Sequence, residues 1–382
     1  MKIQVLWPRP KRSEVVEIAY ARQFCEKLSR SELADAIWHE YPLETGFTHR
    51  GNVSDCVLFV TDPQLVVTRS AVREMLAVLR ESGKAAAVPV YNVSANPAQI
   101  ADLPAVYMTV TTFFEVAGII SRQSVNRPPV EIKAPYDAGC VLLSSREYRS
   151  WNLSLPELPV TAMLTTSALV HRFGGYAGME RPDLWGMIPM DAVTVLDVGC
   201  GRGQLGRWFR SAGRKLKLVG VEQSGSLAEE AAPYYDRIHV TPVESFDSGQ
   251  RFDCIVCGDI LEHLVDPWSV LKRLTQWLNP RGCLLLSIPN AGHWSLVRDL
   301  AKGRWDYLPY GLTCITHLRW FTENSMREIC GEAGLAIESL VRQTIPATPE
   351  GEAFIRQLVE SGQGDESSLR TLGFIIRARQ NK

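Results

Sequence analysis

No run in the 382 residues approaches the ~20 consecutive apolar residues that a bilayer-spanning helix needs. The opening stretch MKIQVLWPRPKR has too short an apolar segment for a secretory signal, and its charges come after it. The chain is therefore expected to be cytoplasmic. A basic excess is also lacking: 41 Lys and Arg stand against 42 Asp and Glu, a formal net charge of −1. That balance argues against a sequence-independent nucleic-acid binder. There is no disulfide framework, because the nine cysteines are scattered and odd in number, as reduced thiols would be. The one CxxC spacing, Cys254 and Cys257, lies inside FDCIVCGD, which reads as a buried strand. A redox pair would sit at a helix start instead. Internal repeats and low-complexity segments are missing too, which sets aside solenoids and disordered tracts.

What remains is a globular composition, 46% hydrophobic and 22% charged, in a chain long enough for two domains. The clearest break runs from Arg127-Pro128-Pro129 through Pro135, and residues 150–159 form a second ambiguous stretch. Before the break, strands are expected at 3–7, 56–61 and 85–92. Helices are expected at 13–29 and 70–83, the latter with apolar spacing through Val72, Met75, Leu76 and Leu79 and a stop at Gly83. After about residue 165 the alternation is more regular. Strands are expected at 193–199, 216–222, 237–241, 251–259 and 282–290, with two more in LAIESLVRQ and TLGFIIRAR. Asp266-Pro267 opens a helix that Asn279-Pro280-Arg281-Gly282 ends, and Thr322 caps another that Gly334 stops. The expected fold class is α/β: a C-terminal Rossmann-like, seven-stranded, mostly parallel sheet preceded by a smaller N-terminal α/β domain. The domains are placed at 1–150 and 165–382.

The strongest motif is Val195-Leu196-Asp197-Val198-Gly199-Cys200-Gly201-Arg202-Gly203, joining a buried strand to a helix. Glycines there let the chain turn tightly and bring its backbone close to a ligand. The free N–H groups of the following helix suit a carboxylate or phosphate. Residues 201–206 also match GxGxxG, and Glu222 lies about 20 residues on, so a nicotinamide or flavin enzyme is a rival reading. Against it, Asp197 stands where a dinucleotide site usually has an apolar residue.

The order Asp-x-Gly-x-Gly-x-Gly resembles motif I of class I S-adenosylmethionine-dependent methyltransferases. VLDVGCGRG, VGVE, FDCIVCGDILEHL and GCLLLSIPN follow in that family's order over about 165–345. The resemblance implies S-adenosylmethionine as cofactor. Asp197, Gly199, Cys200, Gly201 and Gly203 would wrap its methionine part, and Glu222, next to Gln223, would bind the ribose hydroxyls, since a carboxylate accepts both protons. The adenine-binding acid of many members is replaced by Pro242 in VTPVE, leaving backbone near Val243, or Glu244, for the base. Gly258 and Asp259 end the fourth strand toward the cofactor.

Beyond them, Glu262 and His263 are the candidate catalytic residues. Methyl transfer needs a held acceptor and a route for its proton, and imidazole suits that task. The plainer reading is that both brace the loop. Asp259, Glu262 and His263 also fall at i, i+3 and i+4. They resemble the Glu-x-x-Glu-His metal site of some small-RNA and ubiquinone-pathway O-methyltransferases, with His293 or His317 to complete a divalent-cation set.

Residues 291–321 carry Trp294, Trp305, Tyr307, Tyr310 and Trp320, suited to stacking on an acceptor. The series His293-Trp294, Gly303-Arg304-Trp305, Gly311-Leu312 and Thr316-His317-Leu318-Arg319-Trp320-Phe321-Thr322 resembles bacterial methyltransferases associated with polysaccharide gene products. It implies a sugar or small-molecule acceptor, with His293, Trp294, Tyr310 and His317 as candidate contacts. The upstream GGYAGMERPDLWGMIP resembles that group's lead-in helix, from which Tyr176 and Arg181 would touch the cofactor.

Residues 54–92 and 138–147 resemble fragments of a nucleotide-sugar glycosyltransferase domain, but its Asp-x-Asp is reduced to Thr61-Asp62-Pro63. One carboxylate grips a metal-bound diphosphate poorly. The expected function is methyl transfer to an oxygen or nitrogen of a sugar-containing acceptor. The alternatives are an NAD-dependent oxidoreductase, a bifunctional glycosyltransferase–methyltransferase, and a non-catalytic carbohydrate-binding adaptor. Oligomeric state is not legible.

Overall fold

The computed structural model describes residues 3–9, 16–42, 55–123, 128–150, 159–173 and 180–381. It separates into two compact units: Met1–Gly174 with Tyr307–Tyr310, and Gly175–Asp306 with Gly311–Lys382.

The first unit contains β1 (Ile3–Arg9), α1 (Val16–Glu32), β2 (Ile37–Pro42), β3 (Cys56–Val60), β4 (Leu65–Val66), α2 (Arg69–Ser82), β5 (Ala86–Tyr91), α3 (Val110–Gln123), β6 (Val130–Lys133), β7 (Cys140–Ser144), α4 (Ser145–Ser150) and β8 (Thr161–Arg172). Its sheet has the order β2-β1-β3-β7-β5-β8-β4, with β6 added on β8. The sheet is mixed: β7 runs antiparallel to both β3 and β5. Helix α2 forms as its sequence expects. Thr68 accepts the Ala71 N–H, Gly83 closes the helix at φ 62°, and Ala71, Val72, Met75 and Leu79 are buried.

Two expectations are corrected here. The N-terminal unit does not stop at 150, because the apolar strand β8 completes its sheet by pairing with β4, β5 and β6. The segment expected as a linker contains β6, whose residues pair antiparallel with β8 from Val130↔Leu164 to Lys133↔Thr161. Prolines 128 and 129 precede the paired residues, so they remove no ladder donor.

The second unit contains α5 (Pro182–Trp185), β9 (Thr194–Val198), α6 (Gln204–Ser211), β10 (Lys217–Glu222), α7 (Gly225–Ala231), β11 (Arg237–Val240), β12 (Phe252–Gly258), α8 (Pro267–Gln276), β13 (Leu278–Pro289), α9 (Trp294–Ala301), α10 (Glu323–Glu332), β14 (Leu335–Thr344), α11 (Pro349–Glu360), α12 (Glu366–Arg370) and β15 (Thr371–Gln380). The seven strands lie in the order β11-β10-β9-β12-β13-β15-β14. The five strands from β11 to β13 are parallel, and β15 is antiparallel to both of its neighbours. This is the Rossmann-like sheet expected from the sequence. Residues 279–282 do not end α8 as a loop but form the start of β13, where Phe252 pairs with Leu278.

Alternation along the strands feeds two cores. Leu196, Val198, Ile255 and Cys257 enter one, and Val195, Cys254 and Val256 the other. Cys254 and Cys257 thus lie on opposite faces, which rules out a CxxC pair. A satellite core joins α9, α11 and α12 through Trp294, Ile355 and Leu369. No described helix is long and apolar enough to cross a membrane.

Candidate active site

The site is built at the carboxyl ends of β9, β10 and β12, where open α/β sheets present their loops. Gly199, Gly201 and Gly203 have φ of 72°, 53° and 83°, in the left-handed region that favours glycine. Their surroundings differ. A Cβ on Gly199 would overlap the Ile260 side chain, and one on Gly203 would lie 2.9 Å from the Ala231 Cα. At Gly201 the nearest atom is the Gln204 Oε1 at 3.7 Å, so the middle glycine faces open space. Two glycines serve packing, and the third leaves room for a ligand.

Glu222, buried at the end of β10, holds the loop. Its Oε2 accepts the Gly201 N–H at 3.0 Å and its Oε1 the Ser224 N–H at 2.9 Å. Each oxygen keeps a second lone pair for a hydroxyl. Asp197 is buried beneath, and its carboxylate accepts the Tyr235 hydroxyl at 2.5 Å. Burial, with Glu222 nearby, pushes the Asp197 carboxyl up to about 7. The Cys200 side chain is buried, where burial raises its thiol, and Gln223 is exposed. Val243 is buried in the turn Val243–Ser245, and the Val243 and Glu244 carbonyls accept N–H groups of Arg273 at 2.6 and 2.7 Å.

Past Gly258, Asp259 is the one described non-glycine residue with positive φ, 54°. Its Oδ1 accepts the Ser287 hydroxyl at 2.7 Å and its Oδ2 pairs with Arg181. Arg181 also reaches Ser287 and Asp183. The lead-in residue Arg181 therefore bridges to the loop, whereas Tyr176 lies outside the described residues.

The expected trio of Asp259, Glu262 and His263 does not assemble, because Arg181 and Ser287 already hold Asp259. Glu262, His263 and His317 come together instead, their candidate ligand atoms all within 4.8 Å of one another. Glu262 is 1% exposed and neither carboxylate oxygen has a hydrogen-bond partner. Burial, reinforced by Asp259, holds its carboxyl well above the ordinary range. The two imidazoles approach edge to face, 4.8 Å between centres. The His263 Nδ1–H donates to the Thr316 carbonyl and the His317 Nδ1–H to the Leu312 carbonyl, each at 3.2 Å. Since a carbonyl only accepts, both rings carry their proton on Nδ1, which makes Nε2 the basic atom. Burial, with His263 adjacent, lowers His317 to about 4. The turn Leu261–His263 is fixed to the later segment by the Leu318 and Arg319 N–H groups, both donating to the Glu262 carbonyl.

His293 is the other histidine the sequence offered, and it stays apart. It caps α9, and its Nδ1 accepts the Ser295 N–H, so the proton belongs on Nε2. This is the opposite tautomer to that of His317. Trp294 is buried in the satellite core, and Tyr310 packs on the core of the first unit. Tyr235 and Ser287 were not legible as site residues, for no motif marks them.

Residues 164–340 match the family model described as a methyltransferase domain. The chain is 29% identical over 167 residues to the ubiquinone biosynthesis O-methyltransferase of Azorhizobium caulinodans, covering 39% of this chain and 62% of that protein. It is 33% identical over 107 residues to the protein of the same name from Bradyrhizobium diazoefficiens, covering 26% and 42%. The chain thus spans less than two thirds of the length of these relatives. Among solved structures, a S-adenosylmethionine dependent methyltransferase from Mesorhizobium loti is similar at 21% identity and a TM-score of 0.38, over 52% of this chain and 96% of that one. The plantazolicin methyltransferase BpumL in complex with SAH is similar at 15% identity and a TM-score of 0.37, over 52% and 80%.

Proposed function

We propose that this chain, which carries a class I S-adenosylmethionine-dependent methyltransferase domain, is an O-methyltransferase acting on a hydroxyl group. The reading rests on one observation above all: the Gly199–Gly203 loop, with open space at Gly201, is tied to the Glu222 carboxylate. Glu222 is suited to accept the two ribose hydroxyls and Gly201 to admit the methionine part. A dinucleotide enzyme has no comparable use for the buried Asp197 at the strand end. In the reaction the acceptor oxygen attacks the methyl carbon, a C–O bond forms as the C–S bond breaks, and the acceptor proton must leave.

An oxygen acceptor is what the sequence expectation and the names of the relatives share. The sugar nature of the acceptor gains no support from those names, and neither does a polysaccharide setting. The cofactor is S-adenosylmethionine. Calorimetric titration with S-adenosylhomocysteine and with NAD, side by side, tests the reading. Affinity for the first in the micromolar range, roughly −8 kcal/mol, is expected. Tight NAD binding without a response to S-adenosylhomocysteine overturns it.

The Glu262, His263 and His317 group favours a divalent cation at the acceptor side. A buried carboxylate with no donor and two imidazoles with basic Nε2 atoms form a donor set that suits one. Such an ion supplies Lewis acidity that lowers the pKa of a hydroxyl. In the second reading, His263 takes the acceptor proton itself on Nε2, oriented by the Thr316 carbonyl. Chelation separates the two: loss of turnover, restored by magnesium, manganese or zinc, supports the cation, and indifference to chelator supports His263 as base. For the first unit we infer no sugar transfer, since Asp62 is paired with Arg172.

A further inference from the structure

We propose that Tyr235 is a positioning residue for the cofactor, setting both the shape of the glycine loop and the charge of Asp197 beneath it. The residue follows the 3-10 turn Ala232–Tyr234 and lies 38 positions from Asp197. Its ring packs beside three glycines. A Cβ built on Gly203, Gly206 or Gly220 would lie 3.3, 2.8 or 3.1 Å from the ring, so the phenol shares with Ala231, Tyr234 and Cys200 the space these positions of the loop, α6 and β10 leave open. Its hydroxyl donates to the Asp197 Oδ2 at 2.5 Å. The ring meets the loop at Gly203 and the hydroxyl meets Asp197 at the strand end before it, so both act on the same turn.

A hydroxyl that donates to a buried carboxylate favours its ionised form. Burial opposes this and leaves Asp197 titrating at about 7. Three other titratable groups bear on it: Glu222 on β10, which disfavours a second negative charge, and the thiols of Cys200 on the loop and Cys257 on β12. Burial raises both thiols, so they stay neutral. The methionine part of the cofactor carries an ammonium group, so ionised Asp197 favours binding. Without the phenol hydroxyl, Asp197 ionises at higher pH, and affinity near neutrality falls.

The inference rests on the proposed function. The full chain, its Tyr235→Phe and Asp197→Asn variants and the double variant are titrated with S-adenosylhomocysteine at several pH values. Tyr235→Phe keeps the ring against the glycines and removes only the hydroxyl. Comparing variant with wild type at each pH cancels titration of the ligand's own amine. Tyr235→Phe is expected to weaken binding about tenfold near pH 7. The ratio should shrink at high pH, and Tyr235→Phe should add nothing in the Asp197→Asn background. A ratio constant with pH, or additive losses in the double variant, overturns the proposal in favour of simple packing. Should Tyr235→Phe fail to fold, the wild type carries the test. The infrared carboxyl band lost in Asp197→Asn should titrate in parallel with the gain in affinity, and titration without that gain overturns it. A wild type blind to S-adenosylhomocysteine at every pH sinks the methyltransferase reading itself. Normal binding with Tyr235→Phe unaffected sinks only this inference.

Discussion

Each unit offers a buried or half-buried acid where sequence resemblance expects chemistry, and the two acids have opposite fates. In the first unit, Asp62 stands where a metal-binding pair of acids would be. Its Oδ2 accepts from Arg172 at 2.9 Å and its Oδ1 from the Gln64 N–H at 2.9 Å. Arg172 spans on to Asp137 with two more bonds, at 2.5 and 2.8 Å, and lies over the Tyr91 ring. Burial works to raise the Asp137 carboxyl, but the bonds from Arg172, Ser94 and Gly139 overcome it and hold it below its ordinary value. In the second unit, Glu262 has no donor for either oxygen. A fold that completes an acid's hydrogen bonds has made it structural. One that buries an acid beside two imidazoles and leaves it bare accepts a cost of a few kcal/mol, which a ligand can offset.

The largest expected effect falls on the middle glycine. Gly201→Val should remove detectable S-adenosylhomocysteine binding, at least about a hundredfold, by filling the open space, while its stability loss is limited to the strain of a positive φ that all three glycines share. Gly199→Ala and Gly203→Ala should lower Tm as well, since they press on Ile260 and Ala231. Equal stability losses at all three positions would erase the distinction between packing and ligand glycines. Next comes His263→Ala, which should leave cofactor affinity nearly unchanged and slow methyl transfer by about 10²–10⁴-fold. A fully active variant would remove His263 from the mechanism. Glu222→Ala should weaken S-adenosylhomocysteine by about 1–3 kcal/mol in calorimetry.

Glu262→Gln should abolish turnover yet raise the Tm of the metal-free chain at pH 8 by about 2–4 °C. The sign follows from the raised carboxyl. The folded state prefers neutral Glu262, so its ionisation in the unfolded chain costs stability as pH rises above the ordinary carboxylate range. Gln mimics the neutral form, and the gain should vanish at acid pH. A destabilised variant would mean that Glu262 is as well satisfied as Asp62. The smallest effect belongs to Asp62→Ala. Arg172 keeps Asp137, so the loss should be about 1 kcal/mol in denaturant unfolding, with methyl transfer untouched. Incubation of the full chain with nucleotide sugars and manganese should show no transfer; turnover lost in Asp62→Ala would restore a catalytic role to the first unit.

Much of the second unit was legible because its signals are local. Short apolar runs between turn and helix signals gave the seven strands. Asp266-Pro267 and Thr322 gave two helix starts, and the glycine loop with Glu222 gave the cofactor side within 30 consecutive residues. The first unit was read less well. Strand β8 lies beyond an ambiguous stretch, and only its pairing with β4, β5 and β6 shows that it belongs to that sheet.

What the sequence determined by itself is therefore the strand–loop–helix frame and the residues that a ligand's backbone-contacting loop requires, because turn geometry and alternation are fixed by neighbours in the chain. Tertiary structure alone decided the chemistry of the histidines and acids. His317 rather than His293 joins Glu262, because His293 caps α9, and the Leu312 carbonyl and the Ser295 N–H give the two rings opposite tautomers. Asp259 is claimed by Arg181, 78 residues before it, and Asp197 by Tyr235. Charge state and tautomer depend on burial and on the partner a side chain meets, and neither is written in the spacing of residues along the chain.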